Sequence, residues 1–423
     1  MAITETLINS DKNSARAIVV GVCLSAEERE KLDDDLTELE SLLSTLGVTS
    51  VGRVIQQRAR YSPQSLIGSG KIEEISDLAQ AKSAGLIVSD HALSGPQVRN
   101  IEEATKCQVL DRQGIILDIF AKHARTNTAK TQVEIARLEY LLPRLTGAWT
   151  HFGRQTGGGV RARGMGEKQI EVDRRRAKER ITRLKAQLKH IEREKATQRK
   201  ARHNELKVAL VGYTNSGKTT LMKGLTRAAI EGKDELFATL DSNIKTIDPN
   251  TRPKILLSDT VGFIQNLPHA LVESFKSTLD EVIEADLLLH VVDISHDRYR
   301  EQMQTTIDVL QDIGAAEIPT LVVFNKTDQI DDPILPKVLK SAYPGSRCVS
   351  AQDQENLRNL REHIYEFFLQ NFIEATLKIR HDDHQGLRII HRNCMILTTP
   401  TKTESSFRSE QHGKRSLFCS HTY

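Results

Sequence analysis

Residues 206–219 read LKVALVGYTNSGKT, an apolar run of aliphatic residues followed directly by a loop that is bounded by glycines. The loop matches the pattern GxxxxGK[ST], with Gly212, Gly217, Lys218 and Thr219 at the fixed positions. In this pattern backbone N–H groups wrap phosphates, the lysine balances the charge on the β- and γ-phosphates, and the hydroxyl binds Mg²⁺. The stretch predicts a strand, a phosphate-binding loop and a helix, the start of an α/β domain with a mostly parallel sheet and helices on both faces.

Two further segments extend the predicted phosphate site. The segment Asp259-Thr-Val-Gly262 follows the apolar stretch ILLS; an aspartate at a strand end can hold Mg²⁺, and a glycine N–H can sense the γ-phosphate. Between the loop and this segment lies FATLD, residues 237–241, which can form a switch loop. The expected Mg²⁺ ligands are Thr219, Thr239 and Asp259, and the expected catalytic residues are Lys218, Thr239 and Gly262.

A third motif, Asn325-Lys-Thr-Asp328 after the apolar stretch TLVVF, predicts which base is bound. The Asp328 carboxylate can accept from guanine N1–H and from the 2-amino group, and adenine offers neither donor. The dipeptide Ser350-Ala351 follows another predicted strand and is expected to bring a backbone N–H to guanine O6. The predicted nucleotide site comprises Gly212, Tyr213, Thr214, Asn215, Ser216, Gly217, Lys218, Thr219, Thr220, Phe237, Ala238, Thr239, Leu240, Asp241, Asp259, Thr260, Val261, Gly262, Asn325, Lys326, Thr327, Asp328, Ser350 and Ala351.

Phe263 stands directly after Gly262, where many GTPases have a glutamine that orients the attacking water. Gln265 lies two residues further on, and no motif supports it as a replacement. We therefore expect slow GTP hydrolysis until a partner or an ion completes the site. Asn215 resembles the asparagine with which potassium-dependent GTPases hold K⁺ beside the phosphates, and a loop-stabilising amide is an equally good interpretation.

The first 204 residues have a different organisation. The strand-like stretch RAIVVGVC (16–23) is followed by leucines at helical spacing and then by alternating strand and helix patterns, which predict a small parallel α/β subdomain. The leucines, interpreted as a stripe that faces the core, are Leu32, Leu36, Leu39, Leu43 and Leu46. A helical stretch from about 112 to 145 and a long helix from about 169 to 203 flank a glycine-rich loop at 153–168, which predicts an antiparallel helical hairpin.

This hairpin is strongly basic. Residues 161–204 contain sixteen Lys and Arg against six Asp and Glu, a local charge of +10, whereas the whole chain carries +3. The loop has few apolar side chains and is expected to be mobile, so it could contact a polyanion. A solvated helical surface is an equally good interpretation of the charge. The candidate RNA-contacting residues are Arg154, Arg161, Arg163 and Lys168.

The remaining sequence features concern the compartment and the domain boundaries. Five scattered cysteines without a CxxC spacing indicate neither a disulfide framework nor a zinc site, and a polar start without an apolar core does not fit a signal peptide. No apolar run of about 18 residues predicts a membrane span. We expect a disordered start (1–14), an α/β subdomain (15–111), the hairpin (112–204), a P-loop domain (205–372) and a diverged or truncated C-terminal segment (373–423).

Beyond the nucleotide motifs, four stretches give the chain a specific resemblance. They are IGSGKIEEI (67–75), DRQGIILDIFAKHART (111–126), QVEIARLEYLLPRLTGAWTHFGRQTGGG (132–159) and GEKQIEVDRRRAKERI (166–181). Together with GYTNSGKT, FATLD, DTVG and NKTD they resemble the ribosome-associated GTPase family HflX, within the Obg–HflX group. The resemblance implies GTP hydrolysis with Mg²⁺, stimulation by ribosomes, binding to the large ribosomal subunit, and a hairpin loop that reaches ribosomal RNA. It also implies a role in splitting, rescuing or recycling ribosomes.

The sequence departs from the family pattern at two places. It reads GMGEKQ, with Met165 and Lys168, where members usually read GPGETQ, and its last part does not resemble their small β-containing domain. Two other functions stay open: an RNA remodeller whose N-terminal domain binds ATP, and a GTP switch for a protein partner. We expect a monomer when free, in the cytoplasm and on ribosomes, with peripheral membrane association left open.

Overall fold

The computed structural model describes residues 8, 15–144, 162–200, 205–226, 236, 237, 239, 243–248, 254–265, 276–370, 372–380, 384–398 and 412–420. The chain forms two compact units. The first contains the chain up to Arg193 and also the described residues between Glu235 and Leu240; the second contains most of the remaining chain.

The first unit is built on a four-stranded parallel sheet in the order β2-β1-β3-β4. This confirms the predicted small parallel α/β arrangement. Its strands are β1 (Arg16–Cys23), β2 (Thr49–Gln57), β3 (Leu86–Ser89) and β4 (Gln108–Asp111). Its helices are α1 (Glu27–Leu46), α2 (Ser69–Lys82), α3 (Gly95–Thr105), α4 (Arg112–His123), α5 (Asn127–Leu141) and, in large part, α6 (Ala162–Lys200).

Helix α1 presents its leucines to the core of the first unit, as the sequence pattern predicts. The buried leucines are Leu32, Leu36, Leu39, Leu42 and Leu43. Leu46, which the pattern placed on the same stripe, is only half-buried, and Leu42 takes its place. The stripe is therefore a core face.

A buried carboxylate ties helices α4 and α5 to the edge of the sheet. Asp111, which is fully buried, accepts hydrogen bonds at Oδ1 from the Gly114 N–H (3.1 Å) and the Tyr140 hydroxyl (2.9 Å). Its Oδ2 accepts from the Leu93 N–H (3.0 Å) and from Arg144 Nη2 (2.7 Å). Burial and then the charge of Asp111 raise the pKa of Tyr140 well above its usual value, so the phenol stays a donor.

The next residue, Arg112, is equally buried and connects three elements. Its guanidinium donates to Asp90 Oδ1 (2.8 Å), to Glu38 Oε2 (2.6 Å) on α1 and to the Asp35 carbonyl (2.6 Å). Burial acts to lower the pKa of Arg112, but the two carboxylates outweigh it and raise that pKa. The dipeptide Asp111-Arg112 thus holds the first unit together around α4.

The predicted hairpin differs from the structure in three respects, two of which concern the bounds of its helices. The helical stretch from 112 to 145 is two helices, because the chain breaks between His123 and Asn127, where Thr126 caps α5 by accepting from the Ala129 N–H. The long helix starts at Ala162 and not near Gln169, so the seven residues 162–168 that were predicted in the loop are helical, among them Arg163, Gly164, Gly166 and Lys168. Strong helix formers around the two glycines offset their cost of about 1 kcal/mol each.

Helices α5 and α6 pack through a small apolar cluster of Ile135, Leu138 and Leu184. Two ion pairs lie beside it: Arg180 with Glu134 (2.9 Å) and Lys185 with Glu139 (2.7 Å). Residue numbers rise together along both helices, so α5 and α6 run parallel over this contact and not antiparallel as predicted. The connection at 145–161, which includes the predicted loop residues Arg154 and Arg161, lies outside the described residues. The hairpin tip therefore stays a prediction.

The second unit contains a six-stranded sheet in the order β10-β9-β8-β5-β7-β6, in which only β6 runs antiparallel to its neighbour. Its strands are β5 (Leu206–Val211), β6 (Asn243–Thr246), β7 (Ile255–Asp259), β8 (Leu287–Asp293), β9 (Thr320–Asn325) and β10 (Arg347–Cys348). Its helices are α7 (Lys218–Thr226), α8 (Lys276–Ile283), α9 (Tyr299–Asp312), α10 (Leu335–Ala342) and α11 (Gln354–Leu369). This is the predicted mostly parallel P-loop domain.

The C-terminal part of the chain is more ordered than the sequence predicts. Strands β11 (Phe372–Arg380), β12 (Cys394–Thr398) and β13 (His412–Ser420) form an antiparallel sheet in the order β11-β13-β12, and helix α12 (His384–Asn393) precedes β12. Pairing between β11 and β13 joins residues far apart in sequence, which a local pattern cannot show. Among the described helices, none is both long and apolar enough to cross a membrane.

Candidate nucleotide-binding and catalytic site

The phosphate-binding loop lies at the carboxyl end of β5, at the point in the sheet where the strand order reverses. Strand β5 has β7 on one side and β8 on the other, so a crevice opens at its end. Gly212 has φ 149° and Gly217 has φ 90°. An added Cβ would strike the Val291 carbonyl at Gly212 and the Asn325 amide nitrogen at Gly217. Both motif glycines are therefore required by backbone conformation and by close contacts.

Lys218, the first residue of α7, is buried and turned back onto the loop. Its Nζ donates to the carbonyls of Gly212 (3.1 Å) and Tyr213 (2.6 Å). Burial lowers the pKa of Lys218 to about 8, and the charge of Asp259 opposes this shift. A phosphate group beside the ammonium would favour its charged form, as expected of the lysine in this loop.

Two predicted Mg²⁺ ligands lie side by side. The Thr219 hydroxyl donates to Asp259 Oδ2 over 2.7 Å, and Asp259 is buried at the end of β7. Hydroxyl and carboxylate oxygens are ligands that a hard divalent cation prefers, so this pair fits Mg²⁺. Thr214 Oγ1 and Ser216 Oγ are also buried, and neither has a hydrogen-bond partner within the described part of the chain. These hydroxyls suit a polar ligand held by the loop.

The Asn325 side chain joins the guanine motif to the phosphate loop and to the loop at Ala351. Its Nδ2 donates to the Ser216 carbonyl (2.9 Å) and its Oδ1 accepts from the Ala351 N–H (3.1 Å). The Ala351 N–H, one of the backbone donors of the dipeptide Ser350-Ala351 that is predicted to reach guanine O6, is therefore engaged by Asn325. Lys326 pairs with Asp293 at the end of β8 (2.6 Å).

The remaining predicted site residues differ in their exposure to solvent. Asp328 lies in a short 3₁₀ turn and its side chain is exposed, whereas Ser350 is buried. Asn215, the candidate K⁺ ligand, is exposed and left-handed with φ 58°, a conformation that asparagine tolerates. Its expected role and that of Asp328 stay predictions.

The segment after Asp259 is paired with the phosphate loop. Phe263 N–H donates to the Gly212 carbonyl (3.1 Å), and the Thr214 N–H donates to the Phe263 carbonyl (2.7 Å). The Phe263 side chain is buried, so a hydrophobic group fills the position where other GTPases place a glutamine. Thr260 is also buried, and its hydroxyl donates to the Leu210 carbonyl on β5 (2.6 Å).

The predicted switch segment 237–241 is described only at Phe237 and Thr239, which group with the first unit. The Phe237 ring meets Phe120 of α4 edge-on, with centroids 4.7 Å apart, and its carbonyl accepts from His123 Nδ1 (2.8 Å). Phe237 is buried and has φ 58°, which is unusual for a bulky residue. Ala238, Leu240 and Asp241 lie outside the described residues.

One further ionisable group lies beside the site. His290 is buried in β8 and pairs in register with Val211, the last residue of β5. Burial and then the charge of Lys218 lower the pKa of His290 to about 4. The imidazole is therefore neutral at physiological pH. Sequence reasoning missed His290, Asp293 and the linking role of Asn325, because β-strand register and loop contacts bring them to the site.

Comparison with known proteins agrees with this geometry. The chain matches the family described as "GTP-binding GTPase N-terminal" over residues 33–121, "GTP-binding GTPase Middle Region" over 123–202 and "50S ribosome-binding GTPase" over 207–326. It is 43% identical to "GTPase HflX" of Flavobacterium psychrophilum, with 84% of this chain and 90% of the relative covered. It is 44% identical to "GTPase HflX" of Escherichia coli, with 83% of each chain covered. The chain belongs to the HflX family of GTPases.

Membership of the HflX family makes this chain a GTP-hydrolysing protein, as its four nucleotide motifs predict. A solved structure of a GTP-binding protein from Sulfolobus solfataricus in complex with GDP is 26% identical, with a TM-score of 0.44; it covers 84% of this chain and 99% of that one. The family descriptions also divide this HflX chain into an N-terminal, a middle and a GTPase region.

Proposed function

We propose that this HflX GTPase binds the large ribosomal subunit and couples GTP binding and hydrolysis to the splitting, rescue or recycling of ribosomes. The match of residues 207–326 to a family described as 50S ribosome-binding GTPase supports the partner. Ribosomes should also stimulate hydrolysis, since buried Phe263 cannot orient a water as a glutamine would.

The charge of α6 is the observation that favours RNA as the contacted surface. Arg174, Lys178 and Lys189 are exposed and form no ion pair with any described residue. At about 100° per residue, these three side chains and Lys185 fall within about 60° of one another around the helix. A basic stripe of this kind can follow a phosphate backbone. The predicted RNA-contacting residues Arg154, Arg161, Arg163 and Lys168 are proposed to add further contacts.

The test is the salt dependence of binding to purified large subunits. Arg154, Arg161 and Arg163 are replaced by serine in one variant, and Arg174, Lys178 and Lys189 in a second. For every phosphate that a variant no longer neutralises, the log–log slope should flatten by about 0.7 to 0.9, and binding should weaken. The matched control replaces Arg29, Lys31 and Lys82, three exposed cations of α1 and α2, and should leave the slope unchanged.

The same experiment separates the ribosome from a protein partner. If both basic variants bind large subunits with the affinity and slope of the unaltered chain, the charge is a solvated surface, and a GTP switch for a protein becomes the better proposal. Splitting is followed by sedimentation of whole ribosomes with GTP or GDP, and stimulation by GTP turnover with and without ribosomes. We do not propose ATP binding by the first unit, because the stretch IGSGKIEE lacks the phosphate-loop pattern GxxxxGK[ST].

We further propose that Thr219, Asp259 and Thr239 hold Mg²⁺ and that Asn215 holds K⁺. The donor pair of Thr219 and Asp259 supports the first. Replacing K⁺ by Na⁺ in the assay should slow the unaltered chain and should leave Asn215→Ala unaffected. Equal rates of the unaltered chain in both salts would leave Asn215 as a loop-stabilising amide.

A further inference from the structure

The contact between the phosphate loop and the segment after Asp259 has a third hydrogen bond, made by a side chain. In addition to the two backbone bonds of Phe263, the Gln265 N–H donates to the Tyr213 hydroxyl over 3.0 Å. We call residues 212–214 and 262–265, joined by these three bonds, the clasp. Tyr213 and Phe263 pair in the clasp as a short parallel bridge.

The closed clasp leaves little room beside Gly262. A Cβ added to Gly262 would lie 2.9 Å from Thr214 Cα and 3.1 Å from Lys218 Nζ. The γ-phosphate of GTP is expected to contact both the Gly262 N–H and Lys218. Because even one added carbon atom would be crowded at this position, a γ-phosphate placed there would require Gly262 to move away from Thr214. GDP has no γ-phosphate and does not make this demand.

Tyr213 provides the only bond of the clasp that a side-chain substitution can remove without altering the backbone. Its ring is buried, so phenylalanine would keep the packing and lose only the hydroxyl. The motif GxxxxGK[ST] leaves this position open, so the hydroxyl is not required by phosphate binding itself. The two backbone bonds of Phe263 would remain in the variant.

We propose that Tyr213 is a specificity-determining residue of this GTPase, which sets the preference between GDP and GTP by closing a clasp that GTP must open. Tyr213 acts through Gln265 and Gly262 and is a positioning residue. The inference concerns nucleotide binding alone and stands whether or not the ribosome is the partner. The preference is predicted for the full chain, which contains both units.

The first test compares the full chain with Tyr213→Phe. Dissociation constants are measured for GDP and for guanosine 5′-imidotriphosphate with Mg²⁺, by titration calorimetry. Loss of one hydrogen bond from the closed clasp should raise the affinity for the triphosphate analogue about threefold to tenfold relative to the affinity for GDP. The matched control is Tyr299→Phe: Tyr299 is also a buried tyrosine of the second unit, its hydroxyl accepts from Arg300 Nε (3.1 Å), and its loss should change neither constant.

Three outcomes would overturn the proposal. An unchanged ratio of the two constants means that the hydroxyl does not set the preference. A parallel loss of both affinities means that Tyr213 only maintains the shape of the loop. A weaker affinity for the analogue alone means that the clasp belongs to the GTP-bound state.

A second test needs no substitution and does not depend on the folding of a variant. Amide hydrogen exchange at Phe263 and Gln265 is followed in the unaltered chain with GDP and with the triphosphate analogue. The clasp predicts slow exchange of both amides with GDP and faster exchange with the analogue. Equal protection in the two complexes contradicts an opening of the clasp by the γ-phosphate.

Discussion

The hydroxyl of Thr219 donates a hydrogen bond of 2.7 Å to Oδ2 of Asp259. This bond joins the start of α7 to the end of β7, and the two bonded residues are 40 positions apart in the sequence. It brings together two oxygens of the kind that Mg²⁺ accepts, at the edge of the sheet where parallel strands end. The position of a metal can therefore be tested at this pair.

Replacing Thr219 by valine keeps the shape of the side chain and removes the oxygen. The concentration of Mg²⁺ that gives half-maximal GTP hydrolysis should rise about tenfold or more, because a ligand is lost that is worth about 1.4 kcal/mol or more. GDP binding in the presence of a chelator should change little. Thr226→Val, which removes a hydroxyl from the same helix, is the control. An unaltered Mg²⁺ dependence would exclude Thr219 as a ligand.

The base preference should follow the carboxylate of Asp328. Asp328→Asn replaces an acceptor by an amide that can donate to the 2-oxo group of xanthine, so GTP should bind at least about tenfold more weakly and XTP more tightly. Competition between labelled GTP and unlabelled XTP measures the change. Asp331→Asn, at an exposed aspartate in the next turn of chain, should behave like the unaltered protein. If the Asp328 variant keeps its preference for GTP, another residue reads the base.

The sequence motifs were sufficient to predict the phosphate loop, the segment at Asp259 and the guanine motif, because each depends on residues that are adjacent in the chain. The parallel sheets also followed from local alternation of strand and helix patterns. What could not be predicted depends on distant pairing. Strand β13 pairs with β11 only through a register that joins residues 412–420 to 372–380, two stretches that are separated by more than thirty residues of chain. Similarly, the contacts of Asn325 with Ser216 and Ala351 exist only after three loops meet.

Arg112 offers a stability test in the first unit. Arg112→Met removes the cation that separates the carboxylates of Asp90 and Glu38 and leaves two charges without their shared partner. The free energy of unfolding should fall by about 3–5 kcal/mol, as measured by urea denaturation followed by circular dichroism. Arg53→Met is the matched control. Arg53 also pairs with two carboxylates, but its side chain is 28% exposed and the loss should be below about 1 kcal/mol. Equal losses would show that burial of the Arg112 network is not decisive.

His290 predicts how the stability of the second unit depends on pH. Its pKa is about 4 in the folded protein and about 6.5 when unfolded, so between these values the unfolded chain binds the extra proton. The contribution is therefore intact above pH 6.5 and is lost as the pH falls towards 4, by up to about 3 kcal/mol. The variant His290→Gln, which cannot titrate, should show a smaller loss of stability between pH 6.5 and 4.5. The same slope in both proteins would contradict the assignment.

Phe237 has a mechanical consequence for the switch segment. Its ring is anchored against Phe120, while Thr239, the expected metal ligand, follows only two residues later. Two residues of extended chain span at most about 7 Å. A position of Thr239 beyond this distance from Phe237 requires either that the phenylalanine leaves its contact with Phe120, at a cost of about 2–3 kcal/mol of lost burial, or that Phe237 and Phe120 move together. The short segment between the two residues therefore limits how far Thr239 can lie from Phe237 for as long as the Phe237 ring stays packed against Phe120.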